Sequence, residues 1–139
     1  MKSYFRKVNY YETDKMGIVH HSNYIKWLEE ARVDMMDKMG YSFKKLEEEG
    51  ILSPVLSYSV EIKHSSTFDD IVEIIPKVKS YNSVRLEMSY ELKLKDKIIA
   101  TASTKHCFTN VKGLPQRLNK ILPELDEKMK KELEGDNNE

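Results

Sequence analysis

One stretch of helical periodicity, followed by a series of two-residue alternations, limits what this chain can fold into. From about Asn23 to Lys38, the residues Tyr24, Trp27, Leu28, Ala31, Met35 and Met39 recur at the spacing that puts side chains on one stripe of an α-helix. Lys26, Glu29, Glu30 and Asp37 fall mostly off that stripe. Ser22 or Asn23 is the expected N-cap, and Gly40 the expected stop. A helix with a single apolar stripe must bury it against another layer. That layer is legible downstream. Leu56, Tyr58, Val60 and Ile62 alternate with Ser57, Ser59, Glu61 and Lys63. Val84 to Leu94 alternates more cleanly still, as expected of an antiparallel strand with one wet face. Asp96-Lys97 then predicts a hairpin turn into a strand from Ile98 to Val111. Ile71 to Lys79 is strand-like but holds Pro76, which predicts an edge or a bulge. Phe5 to Tyr11 predicts a first strand, Phe43 to Glu49 a short helix ended by Gly50, and Leu118 to Glu134 a C-terminal helix with Leu122, Leu125, Met129 and Leu133 on one face. Helices do not alternate with strands, so the layout is α+β: one long helix held by an antiparallel sheet.

Composition narrows the class. At 139 residues the chain predicts a single domain, residues 1–139, with a frayed tail from about residue 135. Hydrophobic residues at 40% exclude an intrinsically disordered chain, and no apolar run is long enough for a membrane span. Lys plus Arg and Asp plus Glu both number 23, so there is no basic excess of the kind a nucleic-acid binder carries. The opening Met1–Lys7 segment lacks the apolar core of a secretory signal. Cys107 is the single cysteine, which fits a reducing compartment, and a cytoplasmic location is expected.

The loop ahead of the long helix concentrates chemistry. It reads Tyr11-Glu12-Thr13-Asp14-Lys15-Met16-Gly17-Ile18-Val19-His20-His21-Ser22-Asn23-Tyr24. Asp14 can serve as nucleophile or as general base toward water. Gly17 permits a backbone conformation, or a close approach, that a side chain would block. The backbone N–H groups around His21 stand at the expected helix start, unpaired and at the positive end of the helix dipole. Donors of that kind stabilise a developing oxyanion, by about 3–4 kcal/mol each. A metal reading of His20, His21 and Asp14 lacks a third or fourth ligand at a standard spacing, and His64 and His106 are expected on distant strands. Asp14 as a plain turn-capping residue and His21 as a structural histidine are the competing readings.

The order Val8-x-Tyr10-x-x-Thr13-Asp14-x-x-Gly17-Ile18-Val19-x-His21-x-x-Tyr24-x-x-Trp27-x-Glu29-x-Ala31-Arg32 resembles the signature of the 4-hydroxybenzoyl-CoA thioesterase-like hot-dog family. Within it the sequence is most similar to the bacterial acyl-CoA thioesterases associated with the Tol–Pal envelope system. The resemblance spans about residues 3–130. It implies a hot-dog fold, hydrolysis of an acyl-CoA to a free acid and CoA, no metal or redox cofactor, and dimers often paired into tetramers with active sites at subunit interfaces. It implies Asp14 as the catalytic carboxylate and His21 as the residue whose backbone N–H polarises the thioester carbonyl, its side chain also taking part. Gly17, Ile18 and Tyr24 are implied around the substrate, with Tyr24 as pocket wall. Lys79 and Ser83 are implied at the turn that meets the CoA phosphates, although Lys79-Ser80-Tyr81-Asn82-Ser83-Val84-Arg85 lacks the consecutive basic residues some members carry there. Two alternatives stand beside hydrolysis. One is a hydratase or dehydratase of the same fold, whose His-centred motif is not found. The other is a non-catalytic acyl-CoA binding module.

Overall fold

The computed structural model describes residues 2–138, and side chains from residue 2 to residue 133. Its elements are β1 (Tyr4–Lys7), α1 (Ser22–Lys38), α2 (Phe43–Glu48), β2 (Val55–Ile62), β3 (Ile71–Tyr81), β4 (Arg85–Leu94), β5 (Lys97–Cys107), α3 (Leu118–Ile121) and α4 (Pro123–Asn138), with a 3-10 turn at Tyr10–Glu12. The strands form one antiparallel sheet in the order β1-β3-β4-β5-β2. The sheet packs on α1, whose predicted stripe is buried from Tyr24 to Met39. Alternate residues of β3 (Val72, Ile74, Val78) and β4 (Leu86, Met88, Tyr90, Leu92) complete the same core. Each such side chain contributes about 1.5–3 kcal/mol by leaving water.

Local chemistry explains where the elements end. Gly40 adopts φ +84°, and the Tyr41 N–H reaches back to the Met36 carbonyl, closing α1. The start of α1 differs from expectation. His21 is the N-cap and makes no side-chain cap; the N–H of Ser22 donates instead to Nδ1 of His20 at 3.2 Å. β1 stops at Lys7 rather than running to Tyr11, because Asn9 turns the chain and its N–H donates to the Glu12 carboxylate at 2.8 Å. Val8 is therefore buried while Tyr10 and Tyr11 are exposed, and the alternation foreseen there fails. The expected C-terminal helix is broken in two at Leu122, which Pro123 forces out of the helical region (φ -139°, ψ 69°) before Pro123 opens α4. Leu125 and Met129 are fully buried as foreseen, and Leu122 and Leu133 pack against them. Glu139, at the end of the expected frayed tail, lies outside the described residues. Pro76 lies in the middle of β3, but the β1 ladder ends at Ile74, so one side of the proline faces no strand.

Two polar side chains of α4, the buried Asp126 and the exposed Lys128, fasten that helix to the rest of the fold. The Asp126 carboxylate on α4 accepts from the Tyr81 and Ser83 hydroxyls and pairs with Lys130 at 2.9 Å. Burial alone would raise its pKa; those partners hold it below the ordinary carboxylate range. Lys128 donates at 2.8 Å to the Met39 carbonyl, at the negative end of α1. Among the described residues, no helix is long and apolar enough to cross a membrane.

Candidate active site

The loop between β1 and α1 is folded by its own polar atoms. Asp14 Oδ1 accepts the Met16 N–H at 2.8 Å, the Gly17 N–H reaches the Asp14 carbonyl at 3.0 Å, and the Asp14 N–H donates to the Ile18 carbonyl at 2.9 Å. This tight turn needs Gly17 at φ +79°, where a side chain is strained, although the space around its Cα is open. Gly17 thus meets the demand of the turn, and no described residue of the chain approaches it closely. The other carboxylate oxygen of Asp14 takes no hydrogen bond among the described residues.

Beside it α1 begins. The His20 N–H donates to the Glu12 carbonyl at 2.9 Å, the Asn23 N–H to the His20 carbonyl at 3.0 Å, and the Tyr24 N–H to the His21 carbonyl at 3.3 Å. The N–H of His21 is left without a partner among the described residues, at the positive end of a helix of 17 residues. The His21 ring stacks on that of His20 with centroids 4.2 Å apart.

A second segment closes over this one. The Lys63 and His64 N–H groups both donate to the Ile99 carbonyl, at 2.8 and 3.1 Å, where β2 leaves the sheet. The chain then clamps the loop that carries Asp14: the Val19 N–H donates to the Ser66 carbonyl at 2.8 Å, and Ile18 bridges to Thr67. The result is a pocket of about 270 Å³ lined by Asp14, Met16, Ile18, Val19, His21 and Tyr24 from the first segment and by Ile62, Lys63, His64 and Ser65 from the second. Behind this lining the buried hydroxyl of Tyr24 stands 3.1 Å from that of Ser66, which does not itself line the pocket. Two hydroxyls share one hydrogen bond there, so one O–H is unspent. Burial raises the Tyr24 pKa against the lowering effect of Ser66, so the phenol stays protonated near neutral pH.

The structure therefore brings together Asp14, Ile18, His21 and Tyr24, with Gly17 in the turn between them. It does not bring Lys79 or Ser83 to them. Lys79 lies eight residues along β3 from Ile71, about 26 Å at the strand rise, and pairs with Glu87 at 3.5 Å. Ser83 is buried, with its hydroxyl spent on Asp126 at 2.7 Å. His64, expected on a distant strand, is a wall of the pocket, as is Lys63; the fold alone unites them with Asp14. His106 is on β5 and buried, remote from this chemistry.

An antiparallel sheet wrapped on one long helix, with a carboxylate beside that helix's first turn, defines the hot-dog thioesterase class. The chain belongs to the thioesterase-like superfamily, whose family model matches residues 8–129. A DHNA-CoA thioesterase from Staphylococcus aureus is similar in structure, with TM-score 0.90 and 32% identity over 98% of this chain and 92% of that one. A crystal structure of a hypothetical protein from Aquifex aeolicus is similar with TM-score 0.84 and 30% identity, covering 93% of this chain and 98% of the other. The acyl-CoA thioester hydrolase YbgC of Escherichia coli is 30% identical over 80 residues, 58% of this chain and 60% of that protein.

Proposed function

We propose that this chain hydrolyses acyl-CoA thioesters, with Asp14 as nucleophile or general base and the His21 backbone N–H polarising the thioester carbonyl. The observation that carries this reading is that one pocket is lined by both Asp14, which has a carboxylate oxygen without a hydrogen-bond partner among the described residues, and His21, whose helix-start N–H has none among them. An ester carbonyl placed between them meets an attacking group on one side and a fixed dipole on the other. The site asks for no metal or redox cofactor, because both tasks are done by groups of the chain.

The walls suggest the acyl group. Met16, Ile18, Val19 and Ile62 offer apolar contact, while the Tyr24–Ser66 pair offers a buried hydroxyl donor. A pocket of about 270 Å³ suits a compact acyl group, and an aryl group bearing hydroxyls would use both kinds of wall. The similar Staphylococcus aureus protein is named for such a substrate. Lys63 stands at the pocket and is the cation we assign to the anionic CoA portion, since Ser83 is committed to Asp126. A thiol-release screen over short, medium, long and hydroxyaryl acyl-CoAs tests the reading. The hydroxyaryl or short substrates should turn over fastest. Loss of an enoyl-CoA double bond with no free thiol would instead indicate a hydratase, and tight binding without release a binding module.

The working unit in this proposal is at least a homodimer, and a homotetramer is two such pairs. β2 is an edge strand eight residues long, with Val55, Leu56, Tyr58 and Ile62 all exposed and no proline or bulge to discourage pairing beyond Ser57. Pairing of β2 with a second copy would cover that edge and place the partner next to Ile62 and Lys63 at the pocket. Sedimentation should give a mass of at least twice the 16.3 kDa chain. Leu56→Lys with Tyr58→Lys should shift it toward one chain and lower activity; a wild-type monomer would contradict the pairing.

A further inference from the structure

The geometry points to Glu12 as the residue that positions Asp14 against the start of α1, an inference that rests on the proposed hydrolase site. Glu12 is two residues ahead of Asp14 and only 3% exposed. Both of its polar ends are clamps. Its carbonyl accepts the His20 N–H and the Asn23 side-chain amide, each at 2.9 Å, and so ties the loop to the first turn of α1. Its carboxylate accepts from the Arg6 guanidinium at 2.9 and 2.8 Å, from the Asn9 N–H at 2.8 Å, and from the Trp27 indole N–H at 2.9 Å. Arg6 continues to Glu30 on α1 at 2.8 Å, and the Tyr4 hydroxyl meets the same Glu30 oxygen. The segment bearing Asp14 is thereby referenced to the axis of α1 at its first turn and at Trp27, and the N–H of His21 belongs to that same helix start.

Stability alone does not explain such a group. Replacing a buried ion pair by well-packed apolar residues of similar volume is often neutral or stabilising, and in some proteins such a pair is kept because it fixes one geometry. The geometry here demands a carboxylate. All four of its contacts are N–H donors, two on each oxygen. A glutamine must turn its amide NH₂ toward one of those donor pairs, where no hydrogen bond can form. Glu12→Gln therefore keeps volume and loses the clamp.

Glu12→Gln, Trp27→Phe and Asp14→Asn would be compared with the wild type at a temperature where far-ultraviolet circular dichroism shows each folded. Glu12→Gln should lower kcat about 10²-fold, the order expected of a misplacement near 1 Å, while leaving KM within about threefold. Trp27→Phe removes the indole donor together with part of a buried ring that packs on Arg6 and Tyr24, and should give a smaller fall in kcat with the same faster exchange at His20 and Asn23; it carries the test if Glu12→Gln does not fold. Amide hydrogen exchange in Glu12→Gln should speed up at His20 and Asn23 while β4 stays protected. A lower melting temperature with wild-type kcat in both variants would overturn the positioning role and leave the hydrolase reading intact, provided Asp14→Asn is inactive. Wild-type turnover by Asp14→Asn would overturn both.

Discussion

Asp14→Asn is expected to lower kcat by about 10³-fold or more while KM stays near the wild-type value. The substitution is nearly isosteric, and its Oδ1 still accepts the Met16 N–H that shapes the turn. What it removes is the second, uncommitted oxygen as an anion, and with it either the nucleophile or the base. The loss should fall on kcat because a bound substrate keeps its other contacts in the pocket. Two routes are open to that oxygen. In the covalent route it attacks the carbonyl carbon, the C–S bond breaks to release CoA thiolate, and water attacks the aspartyl carbonyl of the resulting anhydride, releasing the acid and leaving the water oxygen on Asp14. In the general-base route it takes a proton from water, which attacks directly. Single turnover in oxygen-18 water separates them, since only the covalent route leaves label in the Asp14 carboxylate. In the proposed reading either route uses the backbone N–H of His21, which alanine keeps; His21→Ala should therefore be milder than Asp14→Asn.

The second large effect concerns acid. His106 is buried on β5, with Nε2 2.7 Å from the Thr104 hydroxyl and Nδ1 without a partner among the described residues. Burial, and then the nearby Arg32 guanidinium, push its pKa down to about 3. Its folded pKa is below its unfolded one, so the folded chain binds fewer protons. The stability this represents is fully present above about pH 6.5 and is lost as pH falls toward the folded value. The loss approaches about 1.4 kcal/mol per pH unit, so about 2 kcal/mol is gone by about pH 5. That is a large share of a domain stability of about 5–15 kcal/mol. Glu12 and Asp126, both held below the ordinary carboxylate range against the cost of burial, add a further loss at lower pH. Unfolding free energies from urea titrations at neutral pH and at about pH 5 should differ by about 2 kcal/mol in the wild type and converge in His106→Gln. An unchanged pH slope in His106→Gln would show that His106 is not the group responsible.

Much of the site was legible because its first half is contiguous. Asp14, Gly17, Ile18, His21 and Tyr24 lie within one loop and one helical turn, and local rules for turns and helix starts reach that far. The long helix and β4 were legible because periodicity survives wherever one face is buried throughout. The rest depends on contacts between distant residues. Lys63 and His64 carry no local signal that β2 leaves the sheet beside Ile99 of β5 and that the chain after it meets Val19 through Ser66. Glu12 reads as one more acid in a polar turn until Arg6 and Trp27 are seen to converge on it. β2 alternates in sequence, yet both its faces are open, because an edge strand owes its pattern to whatever covers it. Pro123 is a different case: it is a local signal, and the break it imposes at Leu122 follows from the stiffness of the residue before proline.

The most direct test of the central claim is thiol and acid release from a hydroxyaryl acyl-CoA by the purified chain, measured together and beside folded Asp14→Asn. The account predicts one free thiol per free acid from the wild type and essentially none from the variant. Equal release by the two proteins, or substrate consumed with no thiol appearing, would contradict it.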